Sequence, residues 1–226
     1  MAADTRSGTG PRDRFRAQVR QEVKTAALRQ LAEGGPEALS LNAIAKQLGM
    51  TGPALYRYFA NRDSLLTDLV VDAYGDLASA LARAAGTGPA DPAERLTGLV
   101  HAYRAWALAE PHRYRLLFRA PLQGYDAQAA DLVDASLPAM RVLLDTVSAL
   151  AEPKPEAAGG TAAQFVQWRE RHGFQGVAEA VAARSTLLWA HLHGMVALEI
   201  EGNFASMGID PSYLYEAEVT DFVRSL

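Results

Sequence analysis

The sequence predicts an all-α protein: a three-helix helix-turn-helix domain followed by a larger helical domain. Three observations predict it. Apolar residues recur at helical spacing along nearly the whole chain, no run alternates strictly enough to make a strand, and a Gly-centred turn joins two short helices near the N-terminus. The expected boundaries are a flexible basic arm over 1–16, the helix-turn-helix domain over 17–62, and the larger domain over 63–226, of which 63–85 is a connecting helix.

The elements follow in order. Val19, Val23, Ala27 and Leu31 recur every four residues, and Gly34-Gly35-Pro36 closes that helix. Ser40 caps the next one, in which Leu41, Ile44, Ala45 and Leu48 form one apolar face; Gly49 ends it by supplying the positive φ of a tight turn. The stretch TGPALYRYF, 51–59, opens with Thr51 as N-cap and Pro53 in the first turn, where its missing N–H does no harm. At about 100° per residue, Leu55 and Phe59 share an inner face, while Pro53, Ala54, Tyr56 and Arg57 face outward. Asn61 caps a longer helix with Leu65, Leu66, Leu69, Val70, Ala73, Leu77 and Leu81 inward, and GTGP at 86–89 is the first strong break.

Beyond that break Asp91-Pro92 opens a helix that stops at Glu110-Pro111, and a short segment bearing Tyr114, Leu117 and Phe118 ends at Pro121. Residues 126–151 keep helical spacing, with Pro138 as a kink or break. EPKPEAAGGT, 152–161, reads as a mobile loop, 162–172 as a helix carrying Phe165 and Trp168. The segment 177–202 is apolar on nearly all sides, and 211–225 closes the chain with Tyr213, Leu214, Val219, Phe222 and Val223.

Composition narrows the function classes. With no cysteine, disulfides, thiolate metal sites and a cysteine nucleophile are excluded, which suits a reducing cytoplasm. The N-terminus has no apolar signal-peptide core, and the most apolar stretch, 187–200, carries two histidines and is too short to span a bilayer, so a soluble cytoplasmic protein with no membrane partner is expected. Net charge is −4, but residues 1–65 hold ten Lys/Arg against six acids, +4, leaving −8 for the rest. A basic N-terminal module on an acidic body points to a polyanion for the first part only. Arg12, Arg14 and Arg16 are either a minor-groove or backbone-tracking arm or a solvated tail.

In a helix-turn-helix pair the second helix lies in the DNA major groove with its N-terminal residues nearest the bases. Tyrosine hydroxyls and an arginine fork on the outer face of 51–59 suit phosphate oxygens. The string LSLNAIAKQLGMTGPALYRYFANRDSLLTDLV, 39–70, resembles the DNA-binding domain of TetR-type (tetracycline-repressor-like) bacterial regulators. The match lies in Ile44-Ala45, Leu48-Gly49, Thr51, Leu55-Tyr56, Phe59, Arg62 and Leu65-Leu66. WAHLHGMVALEIEGNF, 189–204, resembles the Trp…His-Gly element of one branch of the family's C-terminal domains.

The resemblance implies a homodimer on a palindromic operator, an all-α ligand domain, and release of double-stranded DNA when a small-molecule effector binds. By position it implies phosphate contacts from Tyr56, Tyr58 and Arg62 and groove contacts over 51–57. Many relatives carry Lys, Arg or Ser at position 52 or 53; here Gly52, Pro53 and Ala54 offer no side-chain hydrogen bond to a base edge. Direct readout then leans on Arg57, to guanine or only to phosphate, and on contact of Pro53 and Ala54 with thymine methyls, with Ser40 and Asn42 as phosphate ligands.

In the larger domain Tyr103, Trp106, Tyr114, Phe118, Trp168, Trp189 and His193 are the candidate effector-pocket residues; each alone is also ordinary core. His191 and His193 project about 200° apart on a helix and cannot share an ion, so no metal and no cofactor are expected. Glu199/Glu201 and Glu216/Glu218 read as solvated faces, and 177–202 with 211–225 as the dimer interface. A small all-α enzyme and an effector-free architectural DNA-binding protein are the alternatives. No phosphate-binding Gly-rich loop, H-E-x-x-H or G-x-S-x-G supports the first, and residues 90–226 exceed what the second needs.

Overall fold

The computed structural model describes residues 10–119, 125–126, 129–150 and 160–225, with side chains from residue 163 in the last segment. Among these residues there are eleven α-helices and no strand. The chain divides into two compact units, residues 1–70 with 119–126, and residues 71–118 with 127–226.

The first unit is built from α1 (Pro11–Gly34), a 3-10 turn (Pro36–Ala38), α2 (Leu41–Gln47), α3 (Gly52–Tyr56) and the beginning of α4 (Arg62–Thr87). Helix α1 starts six residues earlier than the expected arm allows. Pro11 sits in its first turn, and the Asp13 carboxylate accepts the Gly10 N–H at 3.3 Å, so the helix begins as soon as a cap is available. Arg12, Arg14 and Arg16 are therefore helical and exposed; the rest of the expected arm, residues 1–9, lies outside the described residues. The buried stripe Val23, Ala26, Ala27 and Leu31 packs this unit with Leu41, Ile44, Ala45, Leu55, Phe59, Leu65 and Leu66.

The turn between α2 and α3 follows from Gly49. Its φ is +66°, the Gly49 N–H reaches the Lys46 carbonyl at 3.2 Å, and the Met50 N–H reaches the Ala45 carbonyl at 2.8 Å. This double bond pattern satisfies the last carbonyls of α2 while reversing the chain. Helix α3 is shorter than the quoted stretch: the α-helix closes at Tyr56, and Arg57 and Tyr58 form a tight turn in which Tyr58 N–H bonds the Leu55 carbonyl at 2.8 Å. Arg20 of α1 holds that turn. It donates to the Tyr58 carbonyl at 2.7 Å, lies 4.4 Å from the centre of the Phe59 ring, and pairs with Asp68 of α4.

The second unit contains the rest of α4 with α5 (Pro92–Ala109), α6 (Pro111–Phe118), α7 (Ala130–Ser148), α8 (Gly160–His172), α9 (Glu179–Ile200), α10 (Asn203–Met207) and α11 (Ser212–Ser225). One apolar core joins Leu77, Leu81, Leu96, Leu99, Tyr103, Leu143, Val147, Leu188, Leu192 and Tyr215. Pro138 is accommodated inside α7 without ending it. The expected loop over 152–161 falls almost wholly outside the described residues. The five-residue α10, flanked by Gly202 and Gly208 with φ of +75° and +67°, is too short to leave a periodic signal. Among the described residues no helix is long and apolar enough to cross a membrane.

Candidate DNA interface and effector cluster

In the first unit the caps expected from sequence are formed. The Ser40 hydroxyl accepts the Ala43 N–H at 3.3 Å, and the Thr51 hydroxyl accepts the Ala54 N–H at 3.4 Å. Ser40, Asn42, Thr51, Pro53, Tyr56 and Arg57 are exposed, and Gly52, Ala54 and Tyr58 are half-exposed. Leu55 and Phe59 are fully buried, so the inner and outer faces of 51–59 are divided as its periodicity requires. A side chain at position 52 would sit 3.6 Å from the Asn42 amide oxygen, which places α3's first turn against the start of α2.

Arg62, expected at a phosphate, is engaged within the unit itself. It is half-buried, its guanidinium donates to the Pro36 carbonyl, and its Nε is buried without a partner among the described residues. Arg62 thus ties the start of α4 to the 3-10 turn, as a second donor to a carbonyl that also accepts the Leu39 N–H at 3.2 Å. Sequence position alone could not distinguish that job from one at the surface.

In the second unit five of the seven candidate pocket residues converge. The Tyr103 hydroxyl lies 2.8 Å from His193 Nδ1, and the Tyr114 hydroxyl lies 3.3 Å from the same nitrogen while donating to the His193 carbonyl at 3.0 Å. Phe118 meets the His193 ring edge-on at 4.0 Å between centroids, and Trp189 tilts against Tyr103 at 5.2 Å. Burial lowers the His193 pKa from its ordinary 6.5, so the imidazole is neutral at pH 7. Burial, then the nearby Tyr114, raise the Tyr103 phenol far above its usual range. The arrangement is a neutral, aromatic-walled cluster carrying hydroxyl and imidazole groups.

Trp106 and Trp168 are not part of it. Trp106 is core, its indole Nε1 buried without a partner among the described residues. Trp168 stacks on Phe174 at 5.1 Å and lines a separate open groove of about 380 Å³ with Met140, Phe165 and Arg171. Helical spacing reports that a residue faces inward, not which interior surface it meets.

The expectation of solvated carboxylates is corrected at Glu199 and Glu218 and holds at Glu201 and Glu216, which are exposed. Glu199 is no solvated residue: Arg104 of α5 grips its carboxylate at 2.6–3.2 Å, and the Tyr215 hydroxyl donates to it at 3.1 Å. Glu218 pairs with His191 at 2.8 Å across α9 and α11, and Glu201 pairs with Arg115. These cross-helix pairs could not be read from carboxylate spacing within one helix. No group of three or more His, Cys, Asp or Glu is placed to hold a metal among the described residues.

Comparison with known proteins decides the family. Residues 25–69 match the model of bacterial regulatory proteins of the tetR family, and residues 96–222 match the tetracyclin repressor-like C-terminal domain. The chain belongs to the TetR family of transcriptional regulators. The HTH-type transcriptional regulators Rv1816 of Mycobacterium tuberculosis and Mb1846 of Mycobacterium bovis are each 34% identical to it, with 96% of both chains covered. The crystal structure of the regulatory protein SCO4313 is 43% identical and superposes with a TM-score of 0.80 over 94% of this chain and 98% of that one. At 15% identity, the FadR regulator of Bacillus subtilis, solved with stearoyl-CoA, shares the fold, with a TM-score of 0.60 over 91% of this chain and 98% of that one.

This TetR-family protein is accordingly a DNA-binding transcriptional regulator and not an enzyme, as its family and relatives are. The family binds DNA and small-molecule effectors, and its division into an N-terminal helix-turn-helix and a helical C-terminal domain is the architecture seen here.

Proposed function

We propose that this regulator is a homodimeric repressor that binds a palindromic operator through α3 and leaves it when a small-molecule effector engages the Tyr103–Tyr114–Phe118–Trp189–His193 cluster. The observation that carries the DNA half is the outer face of α2 and α3, where Ser40, Asn42, Thr51, Pro53, Tyr56 and Arg57 are exposed above buried Leu55 and Phe59. Thr51, Gly52, Pro53 and Ala54 enter the major groove, Arg57 reaches a base or phosphate, and Ser40, Asn42, Tyr56 and Tyr58 hold phosphates. Arg62 contributes by positioning.

The dimer half is supported by uncovered apolar surface. Leu187, His191, Gly194 and Leu198 follow one another along one exposed face of α9, and Tyr213 and Leu214 are exposed at the start of α11. Leu187 is 60% and Tyr213 72% exposed, a cost that a twofold partner removes by pairing the same faces. An effector acts by favouring one arrangement of the heads over another, and its leverage equals its difference in affinity for the two. The setting for such a regulator is the bacterial cytoplasm, where the operator is. Residues 1–16 and 17–62 then act as DNA-binding segments and 63–226 as the effector and dimer domain.

Footprinting on the regulator's own promoter, with sedimentation of the free protein, tests this reading. A protected inverted repeat and a dimer are expected, with Pro53→Ala and Arg57→Ala shifting base preference. A monomer, or unchanged specificity in both variants, would overturn the assignment.

A further inference from the structure

The first unit carries a concavity of about 470 Å³ lined by Pro11, Arg12, Phe15, Arg16, Arg57 and Tyr58. Three of the six are arginines, none is an acid, and none of the three guanidinium groups has a hydrogen-bond or ion-pair partner among the described residues. Resting on α3 as the recognition helix, we propose that this groove clamps the phosphate backbone beside the recognition contact. Arg12 and Arg16 supply one wall and Arg57 the other.

Helical geometry sorts the basic residues of α1. At about 100° per residue, Pro11, Arg12, Phe15 and Arg16 fall within an arc of about 140°, whereas Arg14 points about 200° away from Arg12. The nearest acid on α1, Asp13, is turned back to the Gly10 N–H and does not neutralise the groove. One turn beyond Arg16, Arg20 is bound to the Tyr58 carbonyl at 2.7 Å and to the Phe59 ring at 4.4 Å. That anchor fixes α1 against the turn after α3 and holds the two walls in register.

The chemistry selects a polyphosphate. A guanidinium fork binds a phosphate through two parallel N–H donors and is weakly hydrated, so three free forks facing one open groove match successive phosphates of one strand. Phe15, 64% exposed, adds an apolar surface suited to a deoxyribose. The α1 wall of the groove, Arg12 and Arg16 with Phe15, lies outside the part of the chain that matches the family's DNA-binding model, residues 25–69, whereas Arg57 and Tyr58 lie inside it. Arg12 and Arg16 add affinity without reading bases, because phosphates carry no sequence information.

The test uses the full-length protein with its footprinted operator and with an unrelated duplex, between about 50 and 200 mM salt. Each lost phosphate contact should flatten the slope of log K against log salt by about 0.9, so R12A/R16A should lose about 1.8 per protomer and weaken both duplexes by the same factor. Phe15→Ala should weaken binding with the slope unchanged, and Arg14→Ala, which removes equal charge from the far face, should change the slope by less than half as much as either Arg12→Ala or Arg16→Ala. A wild-type slope in R12A/R16A, or a change in Arg14→Ala equal to that of Arg12→Ala, overturns the clamp. An acidic protein surface as the true occupant would give the first of these results. Failure of the recognition-helix reading shows elsewhere, as unchanged base specificity in Pro53→Ala and Arg57→Ala; wild-type protein that binds neither duplex overturns both.

Discussion

Replacing Arg104 or Glu199 tests how the second unit is held together. The two side chains are only 18% and 14% exposed, and three N–H···O contacts of 2.6–3.2 Å join them. Arg104 also donates to the Ser212 hydroxyl at 3.0 Å and lies 4.8 Å from the Tyr215 ring, so α5, α9 and α11 meet at this pair. Removing one partner of a fully buried pair costs about 3–5 kcal/mol; the residual exposure lowers the expectation for Arg104→Ala to about 2–4 kcal/mol. For a chain of this size that is a fall in Tm of about 5–15 °C.

Glu199→Ala should cost at least as much, because it strands both the guanidinium and the Tyr215 hydroxyl. The double variant should recover about 1–3 kcal/mol relative to the sum of the singles. Tryptophan fluorescence is the appropriate assay, since Trp106, Trp168 and Trp189 all lie in the second unit and report its unfolding alone. Protein concentration must be held fixed, as any dimerisation adds to apparent stability. A coupling energy below about 0.5 kcal/mol would refute the argument that this pair locks the three helices together.

Three other expectations concern single positions. Gly49→Ala meets no atom within 4 Å, so its cost is that of a left-handed backbone alone, about 1–2 kcal/mol, read by circular dichroism as earlier melting of the first unit. Thr51→Ala should cost about 0.5 kcal/mol, the low end for an N-cap, because the capping bond is 3.4 Å long and exposed; hydrogen exchange at Ala54 would show it. His193 has a lower pKa folded than its ordinary 6.5, so its contribution to stability is full above that value and is lost as pH falls through the folded value. Between pH 7 and 5 the wild type should therefore lose more Tm than His193→Gln, and equal losses would refute the assignment.

What was legible from sequence had a local cause. The caps at Ser40 and Thr51, the left-handed Gly49 and the inward Leu55 and Phe59 each depend on neighbours within a few residues, so spacing and residue type suffice. Residues 11–16 of the expected arm are helical although their charges suggest solvation, because one proline and one capping aspartate are enough to start a helix at Pro11. Aromatic character and an inward face are all that spacing offers for a pocket, which is why five of the seven candidates converge and Trp106 and Trp168 do not.

By itself, the sequence determined the helical class, the helix-turn-helix with its inner and outer faces, and the membership of the family whose motifs it carries. Tertiary structure alone decided the partners of the long polar side chains. Arg62 turns to Pro36, Arg104 to Glu199, and Arg20 to Tyr58, 38 residues away, while Arg12, Arg16 and Arg57 stay free around one groove. Helical periodicity specifies the direction in which each side chain leaves its own helix. Which group an arginine then meets depends on how helices distant in sequence pack, and no local pattern encodes that.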